Sequence, residues 1–123
     1  ERRVYVDVNG QSAQTEILAA RHLSPDGIEV SLLTLRLLTG RTHQIRVHCQ
    51  SQQHQIAGDE KYGDREFNRQ IRALGCKRLL LHAWQLEFPK TAYTKAMKIR
   101  APLPVAFERL GIINEQEIRS DNL

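Results

Sequence analysis

An alternating segment that runs directly into Asn9-Gly10 constrains the fold of this chain most. Within residues 2–8, three valines at every second position fall on one side, and polar or charged side chains fall on the other. Asn-Gly is the strongest short hairpin signal, because both residues tolerate positive φ angles. The pattern therefore predicts a strand over residues 2–8, a tight turn, and a returning strand over residues 12–20.

Further strand patterns follow along the chain. A Ser-Pro-Asp-Gly turn at residues 24–27 precedes a third alternating segment over residues 28–39, which predicts a three-stranded antiparallel meander. Residues 77–88 are mainly apolar on both sides, as expected of a central strand that is covered on each face. Residues 94–101 alternate again and are expected to form a last strand.

The periodicity becomes helical after Gly40. Ile45 and Cys49 recur at helical spacing, next to a polar face formed by Gln44, His48 and Gln52. A helix is predicted over residues 42–53 with Thr42 as its N-cap. Shorter helices are predicted over residues 66–74, where Gly75 ends the helix, and over residues 103–110.

These elements predict an α+β fold with a mixed, mainly antiparallel sheet and short helices. With 123 residues, of which 41% are hydrophobic, the chain can build one modest core, so residues 1–123 are expected to be one domain or part of one. Residues 111–123 are expected to be a frayed tail.

Charge and composition narrow the function classes. Eighteen Lys and Arg against fourteen Asp and Glu favour a polyanionic partner. No apolar run approaches the roughly 20 residues of a membrane-spanning helix, and no signal peptide opens the chain. The two cysteines, Cys49 and Cys76, are expected to be reduced thiols of a cytoplasmic protein.

Two arginines stand near the start of the predicted helix over residues 42–53. A helix N-terminus carries partial positive charge, so Arg41 and Arg46 there call for an anion. That anion could be a phosphate or carboxylate ligand held by arginine forks and free helix amides. Equally, Arg46 could pair with an internal Asp or Glu and simply hold the helix in place.

Other candidate chemistry is weak. The histidines and cysteines do not match metal-ligand spacings, since His43 and His48 do not share a helix face and no CxxC pair exists, so no metal site is expected. Asp59 and Asp64 could act as paired carboxylates, but capping of neighbouring elements is favoured for both. No GxSxG nucleophile elbow or glycine-rich phosphate loop is present.

Three segments together resemble the RluA family of RNA pseudouridine synthases. They are Gly-Arg-Thr-His-Gln-Ile-Arg-Val-His at residues 40–48, Gly-Asp-Glu-Lys-Tyr-Gly at residues 58–63, and Arg-Leu-Leu-Leu-His-Ala at residues 78–83. They occur in the family's order. Residues 63–69 are most similar to family members that act on large-subunit ribosomal RNA.

The resemblance implies an isomerase that works without a cofactor on RNA, expected to be 23S-type ribosomal RNA. The chain would be the C-terminal portion of the catalytic domain, and a monomer is expected. The family's catalytic aspartate belongs to an Arg-Leu-Asp segment, and no aspartate of this chain follows Arg-Leu. This chain alone is therefore expected to be inactive.

The resemblance also implies roles for individual residues. Arg46 corresponds to the basic residue that faces the catalytic aspartate, and Leu80 and Leu81 are expected to form the apolar wall beneath the target base. Contacts to RNA are expected from Arg41, His43 and Gln44. By their own position before an apolar run, Lys77 and Arg78 are either a solvated strand end or further phosphate contacts, and they are included among the expected RNA contacts. The alternative is a non-catalytic RNA-binding module derived from such an enzyme, which would also lack the nucleophile.

Overall fold

The computed structural model describes residues 3–8, 11–41 and 43–112, with side chains described from residue 12 onward. Its larger sheet consists of β1 (Arg3–Val8), β2 (Gln11–Leu23) and β3 (Val30–Leu37), antiparallel and in that order. Val8 pairs with Gln11, and the Asn-Gly turn predicted between them lies outside the described residues. The predicted meander is confirmed, and the fold class is α+β as expected.

The helix α1 (Gln44–Ser51) packs on β1 and β2 and is shorter than the predicted residues 42–53. Its N-cap is His43, in the left-handed conformation with φ of 52°. The predicted N-cap, Thr42, lies outside the described residues. The buried residues of α1 are Gln44 and His48, so two of the three residues of the predicted polar face point into the fold, while Gln52 is exposed.

The helix α2 (Arg65–Ala73) agrees closely with its prediction. Asp64 is the N-cap, and its carboxylate accepts a 2.8 Å hydrogen bond from the Phe67 amide, which confirms the capping role expected for it. Gly75, with φ of 94°, follows the end of the helix. Ile71 of α2 is fully buried.

The central strand predicted over residues 77–88 is wrong. Only Gln85–Phe88 forms a strand, β4, and it pairs with β5 (Met97–Arg100) in a separate two-stranded sheet. Residues 77–84 are irregular and touch the 57–58 segment through a single backbone hydrogen bond, from the Leu80 amide to the Ala57 carbonyl. The apolar pattern reflects burial, since Leu80 and Trp84 pack against the core, and not pairing in a ladder.

The core lies between α2 and the last described segment. It is formed by Ile71, Cys76, Phe107, Leu110 and Ile112. Phe107 and Leu110 belong to a 3-10 helix over Val105–Leu110, where a short helix was predicted. Cys49 and Cys76 are both free thiols, and no described helix is long and apolar enough to cross a membrane.

Candidate functional site

Arg46 and Asp59 form a two-bond ion pair at the surface of α1. The Nε of Arg46 donates to Oδ2 of Asp59 at 2.9 Å, and Nη2 donates to Oδ1 at 2.8 Å. The Asp59 side chain is 1% exposed and that of Arg46 is 19% exposed. The anion that Arg46 called for in the sequence is therefore an internal carboxylate, and the guanidinium plane is fixed by both of its bonds.

Asp59 organises the loop over residues 58–63 at the same time. Its Oδ1 accepts from the backbone amides of Lys61 at 3.1 Å and Tyr62 at 2.9 Å, which is the local turn expected of a Gly-Asp step. Its backbone carbonyl accepts a 2.9 Å hydrogen bond from Nδ2 of the buried Asn68 on α2. The loop is thereby fixed to α1 on one side and to α2 on the other.

Two aromatic rings border the ion pair. The Arg46 guanidinium lies 5.2 Å from the centre of the Tyr62 ring, within cation–π range. The His43 ring meets the Tyr62 ring edge-on at 5.7 Å, with His43 Nδ1 and the Tyr62 hydroxyl 3.1 Å apart. We refer to Arg46, Asp59, Tyr62 and His43 together as the Arg46 site.

A buried polar network holds α1 on β2 behind the Arg46 site. The Gln44 amide nitrogen donates to the Gln14 carbonyl at 2.7 Å and to Thr15 Oγ1 at 3.0 Å, and its oxygen accepts from Thr39 and the Arg41 amide. His48 Nδ1 lies 2.7 Å from Thr15 Oγ1. These side chains determine where α1 sits, and hence where Arg46 points.

The first two motifs that carried the family resemblance form this site, and the third motif packs against the second. The ion pair joins Arg46 of residues 40–48 to Asp59 of residues 58–63. A Cβ placed on Gly58 would stand 2.0 Å from the carbonyl oxygen of Arg78, so the third motif, residues 78–83, lies directly against the second. Segments separated along the chain thus form one surface.

Comparisons with known proteins show which proteins this chain is similar to. A family model described as RNA pseudouridylate synthase matches residues 2–51. The ribosomal large subunit pseudouridine synthase C of Pasteurella multocida is 40% identical over 120 residues, covering 95% of this chain and 35% of that protein. The protein of the same name from Escherichia coli (strain K12) is 39% identical over 111 residues, covering 89% of this chain and 34% of that protein.

A solved structure, that of human RNA pseudouridylate synthase domain containing 1, matches with a TM-score of 0.61 and 33% sequence identity, over 75% of this chain and 35% of that chain. This chain belongs to the RNA pseudouridylate synthase family. The expected family and fold are therefore confirmed. The chain spans about a third of the length of the curated relatives it matches, 35% and 34% in the two cases given.

Four of the five residues predicted to contact RNA in this pseudouridylate synthase chain are exposed at the surface. His43 is exposed beside Tyr62, and Lys77 is also exposed. Arg41 and Arg78 are exposed, but each donates to a backbone carbonyl, Arg41 to Ser12 at 3.1 Å and Arg78 to Leu79 at 3.0 Å. These four positions can meet a polyanion at the surface.

The RNA contact predicted for Gln44 needs correction. Gln44 is 3% exposed, and both hydrogens and both lone pairs of its amide are used inside the fold. No atom of this amide is left for RNA. Gln44 instead fastens α1 to β2, a role that its position in the motif did not reveal.

The two leucines predicted to line the base pocket are both half-buried. Leu80 packs against the core cluster, so at least part of its side chain supports the fold. Leu81 lies next to it in the irregular segment, and the Leu81 carbonyl is 3.5 Å from Arg78 Nη2. The role of a pocket wall stays a prediction.

Metal binding finds no support among the candidate ligands. No group of three or more His, Cys, Asp or Glu side chains that could hold a metal occurs in residues 3–8, 11–41 and 43–112. His48 is buried against Thr15, while His54 is exposed. Burial raises the pKa of the Cys49 thiol above its ordinary value, which disfavours the thiolate that metals require.

Sequence reasoning missed the contributions of Tyr62 and Asn68 to the site. Tyr62 lies in the motif at residues 58–63, and its ring borders Arg46. Asn68 has its side chain buried between the Gly58 amide and the Asp59 carbonyl. The one available signal was an unexplained amide on the otherwise amphipathic α2.

The Arg46–Asp59 ion pair makes the free energy of unfolding depend on pH in the acid range. The Arg46 guanidinium lowers the pKa of Asp59 below its ordinary value of about 3.9, mainly through the direct hydrogen bond. The stabilisation is thus complete above that ordinary value and is lost as pH falls through the lower pKa of the folded state. Urea unfolding between pH 6 and pH 2.5 should show that the free energy of unfolding falls more steeply for wild type than for Asp59→Asn. Parallel curves would contradict this.

Proposed function

We propose that this chain is the part of an RNA pseudouridine synthase that supplies RNA contacts and the arginine facing the catalytic aspartate, with large-subunit ribosomal RNA as substrate. The relatives' names support the substrate class. The observation that carries the proposal is the Arg46–Asp59 ion pair between the first two motifs, with the third motif packed against Gly58, the residue next to Asp59. The catalytic aspartate would come from sequence other than residues 1–123.

The reaction requires a balanced exchange of bonds on one uridine. The bond between uracil N1 and ribose C1′ breaks, the base rotates, and C5 bonds to C1′. The proton on C5 is lost and N1 gains one, so no oxidant, reductant or cofactor is needed. An ionised catalytic carboxylate must be held in one orientation throughout, and a fixed guanidinium suits that task.

Arg46 has the donors for this role. A guanidinium carries five N–H groups, of which the Asp59 pair uses two. The remaining three make no hydrogen bond within residues 3–8, 11–41 and 43–112 that would compete with a second carboxylate. We therefore infer that Asp59 is a positioning residue: it fixes the guanidinium plane and leaves donors directed at the catalytic aspartate.

Surface residues around the Arg46 site supply the RNA contacts in this proposal. Arg41, His43, Lys77 and Arg78 would contact phosphates, and Leu81 with the exposed part of Leu80 would lie beneath the base. The protein would act in the cytoplasm as a monomer. A basic surface that contacts phosphates predicts that RNA affinity falls as salt rises, by about 0.7 log unit per log unit of salt for each phosphate on single strands.

Tritium release distinguishes the synthase from a non-catalytic RNA-binding module. Large-subunit ribosomal RNA transcribed with uridine tritiated at C5 is incubated with the full parent protein and, separately, with residues 1–123. We expect release from the parent and none above blank from residues 1–123, although both bind RNA. RNA binding without release from the parent would favour the module, and release from residues 1–123 would place the nucleophile within this chain.

A further inference from the structure

A second basic surface lies along α2, next to the Arg46 site. An open groove of about 560 Å³ is lined by Glu60, Gly63, Arg65, Glu66, Asn68, Arg69 and Arg72. We call it the α2 groove. Its three arginines are all exposed, and their spacing places them within about 60° of one another around the helix axis.

The charges of the α2 groove do not cancel. Arg69 donates two hydrogen bonds to the Glu66 carboxylate, of 3.0 and 2.5 Å, and these bonds lower the pKa of Glu66. Arg65 and Arg72 remain on either side of this pair, about 10 Å apart along the helix. Glu60 is the one other carboxylate in the lining, so the groove keeps a positive excess.

The α2 groove is continuous with the Arg46 site. Glu60 and Gly63, which form one end of the groove, belong to the loop whose Asp59 pairs with Arg46. Asn68, in the lining, holds that loop by its Asp59 carbonyl. A strand of RNA that leaves the Arg46 site across this loop would next meet Arg65 and then Arg72.

We propose that Arg65 and Arg72 bind backbone phosphates of RNA that extends from the Arg46 site along α2. Guanidinium forks pair with phosphate oxygens in a planar, two-bond geometry, and phosphates recur at every nucleotide of a strand. The identity of the ligand as RNA rests on the proposed function. The surface itself rests on the groove, its charge and its continuity with the loop.

Fluorescence anisotropy with a 20-nucleotide single-stranded RNA, labelled at its 5′ end, tests this on residues 1–123. Each phosphate contact contributes roughly 5-fold in affinity at 0.1 M salt, so Arg65→Gln/Arg72→Gln should bind about 25-fold more weakly and with a salt slope shallower by about 1.4. The matched control is Lys90→Gln/Lys95→Gln, which removes two exposed charges between β4 and β5 and should change affinity far less.

One further double variant, a check of folding and a competitor complete the test. Arg65→Lys/Arg72→Lys should recover most of the affinity, and circular dichroism should show that all variants are equally folded. Equal weakening by both glutamine pairs would overturn the α2 groove and leave the proposed function intact if the parent releases tritium. Displacement of RNA by a glutamate decapeptide as effective as unlabelled RNA would favour an acidic protein partner and overturn the proposal. No RNA binding by wild type would overturn both.

Discussion

Arg46→Met in the full parent protein is expected to lower turnover on ribosomal RNA about 100- to 1000-fold, the range seen when one charge-stabilising donor is removed from an active site. RNA affinity should stay nearly unchanged, because one side chain is a small share of the phosphate contacts. Tritium release under saturating RNA measures turnover, and fluorescence anisotropy measures RNA affinity. Arg46→Lys should recover part of the rate, since a point charge replaces the fork.

The structure adds a stability effect that must be separated from the catalytic one. Removing Arg46 leaves the Asp59 carboxylate buried without its cation, which costs about 3 kcal/mol of unfolding free energy. Asp59→Asn combined with Arg46→Met removes both charges and should restore most of that stability. If the double variant regains stability and remains inactive, the lost rate belongs to the arginine and not to misfolding.

One pair of results would contradict the catalytic role of Arg46. Normal turnover by Arg46→Met with weakened binding would make Arg46 an RNA-contacting residue and refute the composite site. Asp59→Asn alone should lower turnover while Arg46 is still present, because the guanidinium plane is no longer fixed. Arg41→Met is the matched control on the same motif, and it should weaken RNA binding more than turnover at saturating RNA.

Gly58→Ala is expected to destabilise the chain by about 4 kcal/mol, combining an unfavourable positive φ with overpacking. Gly58 has φ of 83°, and an added Cβ would lie 2.0 Å from the Arg78 carbonyl oxygen. Neither backbone can withdraw easily. The Gly58 amide donates to Asn68 Oδ1 at 3.0 Å, and the Leu80 amide donates to the Ala57 carbonyl at 2.9 Å.

Gly27→Ala provides a control for the φ angle alone. Gly27 has nearly the same φ, 81°, but no described atom lies within 4 Å of its added Cβ. It should cost only about 1 kcal/mol. Urea unfolding of both variants measures the difference. Similar losses at the two glycines would mean that the approach of residues 58 and 78 does not hold the second and third motifs together.

Local patterns predicted the elements whose causes are local. The hairpin between β1 and β2 follows from Asn-Gly and strict alternation, and α2 follows from its Asp64 cap and Gly75 stop. The motifs at residues 40–48, 58–63 and 78–83 also determined the family, because their residue types and order can be recognised in the sequence without knowing which residues are in contact. An internal partner for Arg46 was one of two alternatives left open.

Tertiary structure alone decided the features that depend on distant partners. Hydropathy marks Gln44 and His48 as polar, and their burial becomes favourable through hydrogen-bonding groups of β2 and, for Gln44, of residues 39 and 41. The apolar residues 77–84 indicate burial, but a strand also needs a ladder of hydrogen bonds to a neighbouring strand. Here the described backbone bonds are one from the Leu80 amide to Ala57 and one from the Ala101 amide to Trp84. The choice of Asp59 for Arg46, 13 residues along the chain, depends on where α1 and the loop meet. The residue types thus determined which chemistry is present, and packing determined which groups face one another.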